Sequence, residues 1–241
     1  MVTYLMRHGR TPYSASYRVN GDPTVAVTLD EEGVRQCRVA RTLVPTGEIA
    51  TCLTSTFART AESARLVLGE QPVRTRAVVG LGEIDYGTFE GRPFQDYAAW
   101  LSEHGPWAWP PGSAESQRAA IVRMLEALRT ALDCPGPRLV VTHGLLVSVV
   151  LWARAGGADG PCDLLFFPEA PCAAPLGIDD LELATLISDV TACLPCDNWT
   201  QPSGVPGFRK HQLQVKPGLL PTATGSQWAE AQVQEEGNSD A

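Results

Sequence analysis

Short apolar runs alternate with longer segments of helical periodicity along the first 190 residues of the chain. Val2–Met6 and Arg138–Thr142 are almost continuously apolar, which is typical of strands covered on both faces of a sheet. Strands that alternate with helices predict βαβ units and a mostly parallel sheet. The predicted strands are Val2–Met6, Ala50–Thr54, Val73–Val79, Arg138–Thr142 and Leu164–Phe167.

Capping signals and glycine-rich breaks place the helices between these strands. Thr28-Leu29-Asp30-Glu31 has the capping-box pattern that opens a helix, and Ser55 or Thr56 can cap the next one. Loops are expected over Gly80–Gly91 and Gly105–Gly112, the second of which could form a lid. The predicted helices run from the capping box to about Pro45, and over Ala58–Leu68, Phe94–Ser102, Ser113–Leu132, Gly144–Ala153 and Asp179–Cys193.

The character of the chain changes near residue 200. Prolines and glycines then interrupt every regular pattern, and the last fifteen residues are polar and acidic. We expect one domain over 1–199, followed by a Pro/Gly-rich arm and an acidic, disordered tail over 200–241.

Composition excludes several classes of function. The formal charge is −8, and the only lysines are Lys210 and Lys216, so binding to duplex nucleic acid or to a membrane surface is disfavoured. The first apolar run is too short for a signal peptide, and no run reaches the length of a membrane span. A cytoplasmic location and a small anionic substrate follow as expectations, and no oligomer is indicated.

Seven cysteines, an odd number, indicate reduced thiols in such a chain. Cys193 and Cys196 form a C-x-x-C pair, but no second pair lies at zinc-finger spacing. We therefore expect these two residues to be ordinary small apolar side chains rather than a metal or redox site.

The candidate chemistry begins where the first strand ends, at Arg7-His8-Gly9. Arginine binds phosphate through a planar fork of donors, and neutral imidazole is a nucleophile that can be phosphorylated. His143-Gly144 follows another strand in the same way, and the free N–H groups of the helix that starts at Gly144 favour an anion. Ligands of parallel sheets sit beyond the carboxyl ends of the strands, so these segments should meet there.

Two further charged groups complete the constellation. Arg59 lies one turn past the end of the second strand, where it could neutralise a phosphoryl group. Glu83 is the candidate proton donor in the glycine-rich loop, although Asp85 and Glu90 are equal candidates on composition alone. A carboxyl whose pKa is raised beside a phosphate could protonate a leaving group and then activate water.

These segments resemble the motifs of the histidine phosphatase superfamily, also called phosphoglycerate mutase-like. Their order and spacing match over about residues 1–150. The matching motifs are Arg7-His8-Gly9-x-Thr11, Ser55-x-x-x-Arg59-Thr60-x-x-Ser63-Ala64, Glu83-x-x-x-Gly87-x-x-Glu90-Gly91 and Thr142-His143-Gly144.

The resemblance implies a fold and a set of roles. The fold would be a three-layer α/β/α sandwich with a small helical cap near 84–112. His8 would be the phosphorylated nucleophile, Glu83 the general acid and base, and no metal or cofactor is implied. The phosphoryl group would be held by Arg7, Arg59 and His143. The candidate substrate-binding residues are Arg7, Thr11, Ser14, Asn20, Gly21, Arg59 and Gly144.

Departures from the motifs favour the phosphatase branch of this superfamily. Ser14 stands where many relatives have asparagine, and Asn20-Gly21 lies where relatives often place a substrate-contacting turn. Mutases carry an arginine directly after the catalytic glutamate, whereas this chain has Ile84, and its loops from Gly91 to Ser113 are short.

The resulting prediction is a metal-independent phosphomonoester phosphatase that works through phosphohistidine on a small organic phosphate. A phosphoglycerate-type mutase, a pathway-specific enzyme such as an α-ribazole phosphatase, and a non-catalytic phospholigand-binding protein remain the alternatives. Aromatic residues could line an apolar cap over the site, and the candidates are Tyr13, Tyr17, Phe89, Trp100, Trp107 and Trp109.

Overall fold

The computed structural model describes residues 1–160 and 162–194, which are built around one five-stranded sheet. The strands are β1 (Val2–Arg7), β2 (Thr51–Thr54), β3 (Arg74–Ala77), β4 (Arg138–Thr142) and β5 (Leu176–Asp179). Their order across the sheet is β3-β2-β4-β1-β5. The first four pair in parallel, and β5 pairs antiparallel with β1. The predicted α/β class with a mostly parallel sheet is confirmed.

Seven helices accompany the sheet in the described part of the chain. They are α1 (Pro12–Ala15), α2 (Glu31–Leu43), α3 (Ala58–Leu68), α4 (Phe94–His104), α5 (Gln117–Arg129), α6 (Gly144–Arg154) and α7 (Asp180–Cys193). The side chain of Asp30, rather than Thr28, caps α2. Ser116 caps α5, which therefore begins later than the predicted Ser113. Helix α1 is too short to show a periodic pattern.

Alternation along the strands creates two hydrophobic layers. On β4, Val140 joins a cluster with α5, α6 and α7, whereas Leu139 and Val141 join a second cluster with α2 and α3. Successive side chains of a strand point to opposite faces, so the sheet is covered on both sides. Helix α4 packs into the larger cluster through Tyr97 and Leu101, next to Phe89 and Trp100. The three-layer arrangement follows from this double coverage.

The predicted strand at Leu164–Phe167 is wrong. These residues carry no strand, because side chains of α5 bind the backbone carbonyls that a sheet would use. Arg118 donates to the carbonyl of Leu164, and Gln117 donates to that of Leu165. The fifth strand is instead β5, whose short Leu-Gly-Ile-Asp sequence gives no apolar run.

Several expectations lie outside the described residues. Cys196 is one of them, so the predicted role of the Cys193 and Cys196 pair stays a prediction. The predicted arm and tail over 200–241 also lie outside the described residues. Among the helices of the described ranges, none combines the length and hydropathy required to cross a bilayer.

Helix α2 packs directly onto the backbone of the loop that follows β1. A Cβ atom built on Gly33 would lie 2.0 Å from the carbonyl oxygen of Arg10 and 2.7 Å from its nitrogen. Only glycine therefore permits this contact, which fixes the loop from the helix side.

We expect Gly33→Ala to destabilise the fold by about 1–3 kcal/mol through this overlap. Helix propensity alone would give the opposite sign, since alanine is favoured over glycine inside helices. Thermal unfolding followed by circular dichroism measures the difference. Gly47→Ala is the matched control, because nothing lies within 4 Å of its Cβ position. Equal melting temperatures for the two variants would contradict the packing explanation.

Candidate active site

Strand register brings His8 and His143 together. Arg7 lies opposite Thr142 in the parallel β1–β4 ladder, and the His8 N–H donates to the Thr142 carbonyl at 3.0 Å. Each histidine is thus the first residue beyond its strand, at the same edge of the sheet. The two rings meet edge to face with their centroids 5.3 Å apart, and both are buried.

The hydrogen bonds of His8 define its tautomer. Nδ1 lies 2.7 Å from the carbonyl oxygen of Gly9, which only accepts, so Nδ1 carries the proton. Nε2 is therefore unprotonated, and its lone pair accepts a 3.1 Å hydrogen bond from Arg59 Nε. Burial, followed by the charges of Arg59 and Arg7, holds the pKa of His8 well below the usual histidine range. His8 is therefore a neutral imidazole with an unprotonated Nε2.

His143 has the opposite tautomer. Its Nδ1 lies 3.2 Å from Nη2 of Arg59, which only donates, so Nδ1 accepts. Nε2 carries the proton and donates to Ser55 Oγ at 2.8 Å. Burial, and then the charge of Arg59, holds the pKa of His143 well below its usual range.

Arg59, at the start of α3, connects these groups. Besides both histidines, it binds the side-chain oxygen of Asn20 through Nη1 at 2.6 Å and the Asn20 carbonyl through Nη2 at 2.8 Å. The ring of Phe57 lies 4.3 Å from its guanidinium carbon. Burial lowers the pKa of Arg59 to about 10, so it remains cationic at neutral pH.

Arg7 lies against Gly144, the residue that follows His143. Nη1 of Arg7 donates to the carbonyl of Ala170 at 2.8 Å. Its Nε is buried and, among the described residues, has no hydrogen-bond partner. Gly144, the first residue of α6, is so near that a Cβ there would lie 3.4 Å from this Nε. A cationic donor and the N-terminus of a helix therefore face the same region, where both favour an anion.

Glu83 lies in the loop after the turn Val79–Leu81 and is partly buried. The Glu83 side chain accepts a hydrogen bond from the N–H of Ile84 at 3.0 Å. Arg123 of α5 donates to the backbone carbonyl of Glu83. Burial raises the pKa of Glu83, and the charge of Arg59 opposes this rise. A carboxyl in such surroundings retains its proton to a higher pH than an exposed one.

The remaining predicted substrate-binding residues fall into two groups. Thr11 and Ser14 form a reciprocal capping box at α1, with bonds of 2.9 and 3.1 Å between each hydroxyl and the other residue's N–H. Their predicted contact with substrate stays a prediction. Asn20 lies in the site because it binds Arg59, and it brings Gly21 with it.

The sequence did not predict the contacts of two serines, Ser55 and Ser63, with the site. Ser55 was expected to cap α3, but Phe57 is the N-cap residue, and Ser55 binds His143 instead. Ser63 accepts the N–H of Gly9 at 3.0 Å and donates to the Arg59 carbonyl at 2.7 Å. Both serines belong to the Ser55–Ala64 motif, and their spacing from Arg59 in that motif is the sequence signal that could have placed them beside the site.

The resulting site holds a neutral imidazole with an unprotonated Nε2 and two cationic side chains, with a partly buried carboxyl nearby. Such a set can transfer an anionic group to nitrogen and balance its charge. Within residues 1–160 and 162–194, no group of three His, Cys, Asp or Glu side chains could hold a metal ion.

The fold and this constellation define a known class of protein. Residues 3–160 match the model of the histidine phosphatase superfamily, branch 1, and the chain belongs to this superfamily.

Individual relatives extend the comparison. "Probable phosphoglycerate mutase GpmB" of Yersinia pestis is 26% identical over 161 residues, which cover 64% of this chain and 74% of that protein. YhfR of Bacillus stearothermophilus has a TM-score of 0.62 and 26% identity, covering 74% of this chain and 90% of that one. The α-ribazole phosphatase of Shigella flexneri has a TM-score of 0.57 and 21% identity over 74% of this chain and 90% of that one, and shows the fold alone.

We expect both site histidines to be neutral at about pH 6, where an ordinary histidine is mostly protonated. Long-range ¹H–¹⁵N spectra should show a proton on Nδ1 of His8 and on Nε2 of His143. His8→Ala and His143→Ala assign the signals. An imidazolium at either position at this pH would contradict the hydrogen-bond assignment.

Ser55→Ala tests the cause of the His143 tautomer in the same spectra. Without the Ser55 hydroxyl, the Nε2 proton has lost its acceptor, so the tautomer equilibrium should shift. Ser102→Ala, the same change on α4, is the control and should leave both histidine signals in place.

Proposed function

We propose that this protein is a phosphomonoester phosphatase that works through a phosphohistidine on His8. The observation that carries the proposal is the unprotonated Nε2 of His8, which faces Arg59 while the Gly9 carbonyl holds the proton on Nδ1. Arg7 and Arg59 supply positive charge for the phosphoryl group, so the chemistry requires no metal ion. The substrate class is a small organic phosphate, and the cytoplasm is the expected location.

The reaction has two balanced steps. The Arg59 Nε–H shifts its hydrogen bond from Nε2 of His8 to a phosphoryl oxygen, which frees the Nε2 lone pair to attack phosphorus. The ester P–O bond breaks, and the proton of Glu83 goes to the leaving alcohol. Water then attacks the phosphohistidine, gives a proton to the Glu83 carboxylate, and the P–N bond breaks to release inorganic phosphate. Nδ1–H of His8 stays on the Gly9 carbonyl throughout, so this bond orients the ring in both steps.

Release to water is favoured over return to a second substrate group by the residue after Glu83. Ile84 is buried in the larger hydrophobic cluster, so it offers no charge to a substrate carboxylate. The relationship to a protein named as a phosphoglycerate mutase keeps mutase activity as the second candidate. Measuring phosphate release and phosphoglycerate interconversion on the same preparation separates the two.

We expect a labelled phosphomonoester to leave an acid-labile, base-stable label on the wild-type protein after rapid quenching. His8→Ala should show no label, and its turnover of nitrophenyl phosphate in EDTA should fall by at least about 1,000-fold. Undiminished turnover in His8→Ala would rule out the histidine nucleophile.

The loss of kcat/KM in Glu83→Gln should depend on the leaving group of the substrate. Nitrophenolate leaves without a proton, whereas an alkyl alkoxide requires one, so kcat/KM should fall by about 100-fold or more for an alkyl phosphate and far less for nitrophenyl phosphate. For the wild type with the alkyl phosphate, kcat/KM should decrease as pH rises through the elevated pKa of Glu83.

Glu70→Gln, an exposed glutamate just beyond α3, is the control for this series. Equal losses for both substrates in Glu83→Gln would remove Glu83 from the role of proton donor.

A further inference from the structure

Glu90 holds the turn that contains Asn20 and Gly21. It follows the 3-10 turn Gly87–Phe89 and is partly buried. Oε1 of Glu90 accepts from Asn20 Nδ2 at 2.8 Å, and Oε2 accepts from the backbone N–H of Gly21 at 2.7 Å. One carboxylate therefore fixes both the side chain and the backbone of this turn.

The Asn20 amide passes this orientation on to Arg59. Its NH₂ group faces Glu90, so its oxygen faces Arg59 and accepts from Nη1 at 2.6 Å. The reverse orientation would place an NH₂ against the guanidinium and an oxygen against the carboxylate, and both contacts would be unfavourable. Asn20 is buried, which makes unmatched polar contacts costly. The Glu90 carboxylate thus determines, through Asn20, the position of the Arg59 guanidinium.

The backbone near this turn has other connections. Val19 donates to the Arg92 carbonyl and accepts from the Gly91 N–H, both at 3.0 Å. Arg18 and Pro93 form an antiparallel bridge. The two segments are therefore joined without Glu90, and what the carboxylate adds is the orientation of Asn20.

An amide between carboxylate and guanidinium has an electrostatic consequence. In the described part of the chain, Arg59 makes no ion pair within 4 Å. A carboxylate in direct contact would compete with a phosphoryl group for the same N–H donors. With Asn20 between them, Glu90 orients Arg59 and leaves its charge for the substrate.

We propose that Glu90 is a positioning residue of the phosphoryl site, which acts through the Asn20-Gly21 turn to hold Arg59 against His8. This role rests on the proposed function, because the group that Arg59 would receive is the phosphoryl group. Glu90 itself touches neither substrate nor nucleophile.

The test is Glu90→Gln in the full chain. The glutamine NH₂ would face either the Gly21 N–H or the Asn20 NH₂, and neither can accept a hydrogen bond from it. The turn therefore loses one hydrogen bond, and the Asn20 oxygen that binds Arg59 is no longer held in one orientation. We expect the KM for nitrophenyl phosphate and the competitive inhibition constant of inorganic phosphate to rise by about tenfold or more, and kcat to fall by up to about 100-fold. Glu90→Asp should recover part of this loss, since it keeps the charge.

Coupling distinguishes positioning from a merely structural role. Asn20→Ala should cause a loss of similar size, and the double variant with Glu90→Gln should lose no more than the larger single loss. Glu32→Gln is the matched control, because this half-buried carboxylate also accepts from two neighbours, Arg35 and Gln36, and makes no bond to Asn20 or Arg59. Wild-type constants in folded Glu90→Gln, or fully additive losses in the double variant, would overturn the proposal.

A binding measurement tests the positioning role of Glu90 independently of the proposed phosphatase activity. If the wild type does not hydrolyse nitrophenyl phosphate, the phosphatase assignment fails, and the role of Glu90 can still be measured. The ¹⁵N signal of His8 Nε2 reports the bond from Arg59 and should shift in Glu90→Gln, together with weaker binding of inorganic phosphate by calorimetry. An unchanged signal and unchanged binding would then overturn the positioning role by themselves.

Discussion

The hydrogen bonds of one buried guanidinium set the tautomers at the centre of the site. Arg59 is 3% exposed, and its donors end on two imidazole nitrogens and on two oxygens of Asn20. Every partner must be an acceptor, because a protonated ring nitrogen facing Arg59 would place one N–H against another. Burial of the two rings, together with this charge, lowers both histidine pKa values, and the donors of Arg59 select a different tautomer in each ring. The proposed nucleophile His8 and its neighbour His143 are thus oriented by the same cation.

The sheet supplies the positions that this cation requires. Strands β1 and β4 end side by side, and β2 ends next to β4, so His8, His143 and Ser55 follow three adjacent strand ends. Hydrophobic layers on both faces hold the strands, and the Gly9 loop is fixed between Ser63 and α2. A chain with a formal charge of −8 thereby presents a locally positive site, since Arg7 and Arg59 face the same edge. Local geometry, rather than net charge, therefore sets the sign of the charge at this edge of the sheet.

The local hydrophobic pattern predicts an element correctly where the residues that it marks as buried also form the backbone hydrogen bonds of that element. The strand Arg138–Thr142 was predicted to the residue, and the parallel-sheet rule correctly placed His8 near His143. Local pattern failed where a distant side chain decides the structure. Leu164–Phe167 is apolar enough for a strand, but Gln117 and Arg118 take its carbonyls. The link from Glu90 through Asn20 to Arg59 joins three separate segments, so no spacing within one motif could reveal it.

The central place of β1 in the sheet has a consequence for the order of assembly. β1 carries His8 and lies between β4 and β5, where Thr3 is opposite Arg138 and also opposite Ile178. Both neighbours are separated from β1 by more than half of the chain, so β1 has no partner strand while the intervening residues are being synthesised. Contacts of such long sequence separation form late and slow folding. His8 is thus made among the first residues but gains its neighbours Thr142 and His143 only after more than half of the chain has been translated.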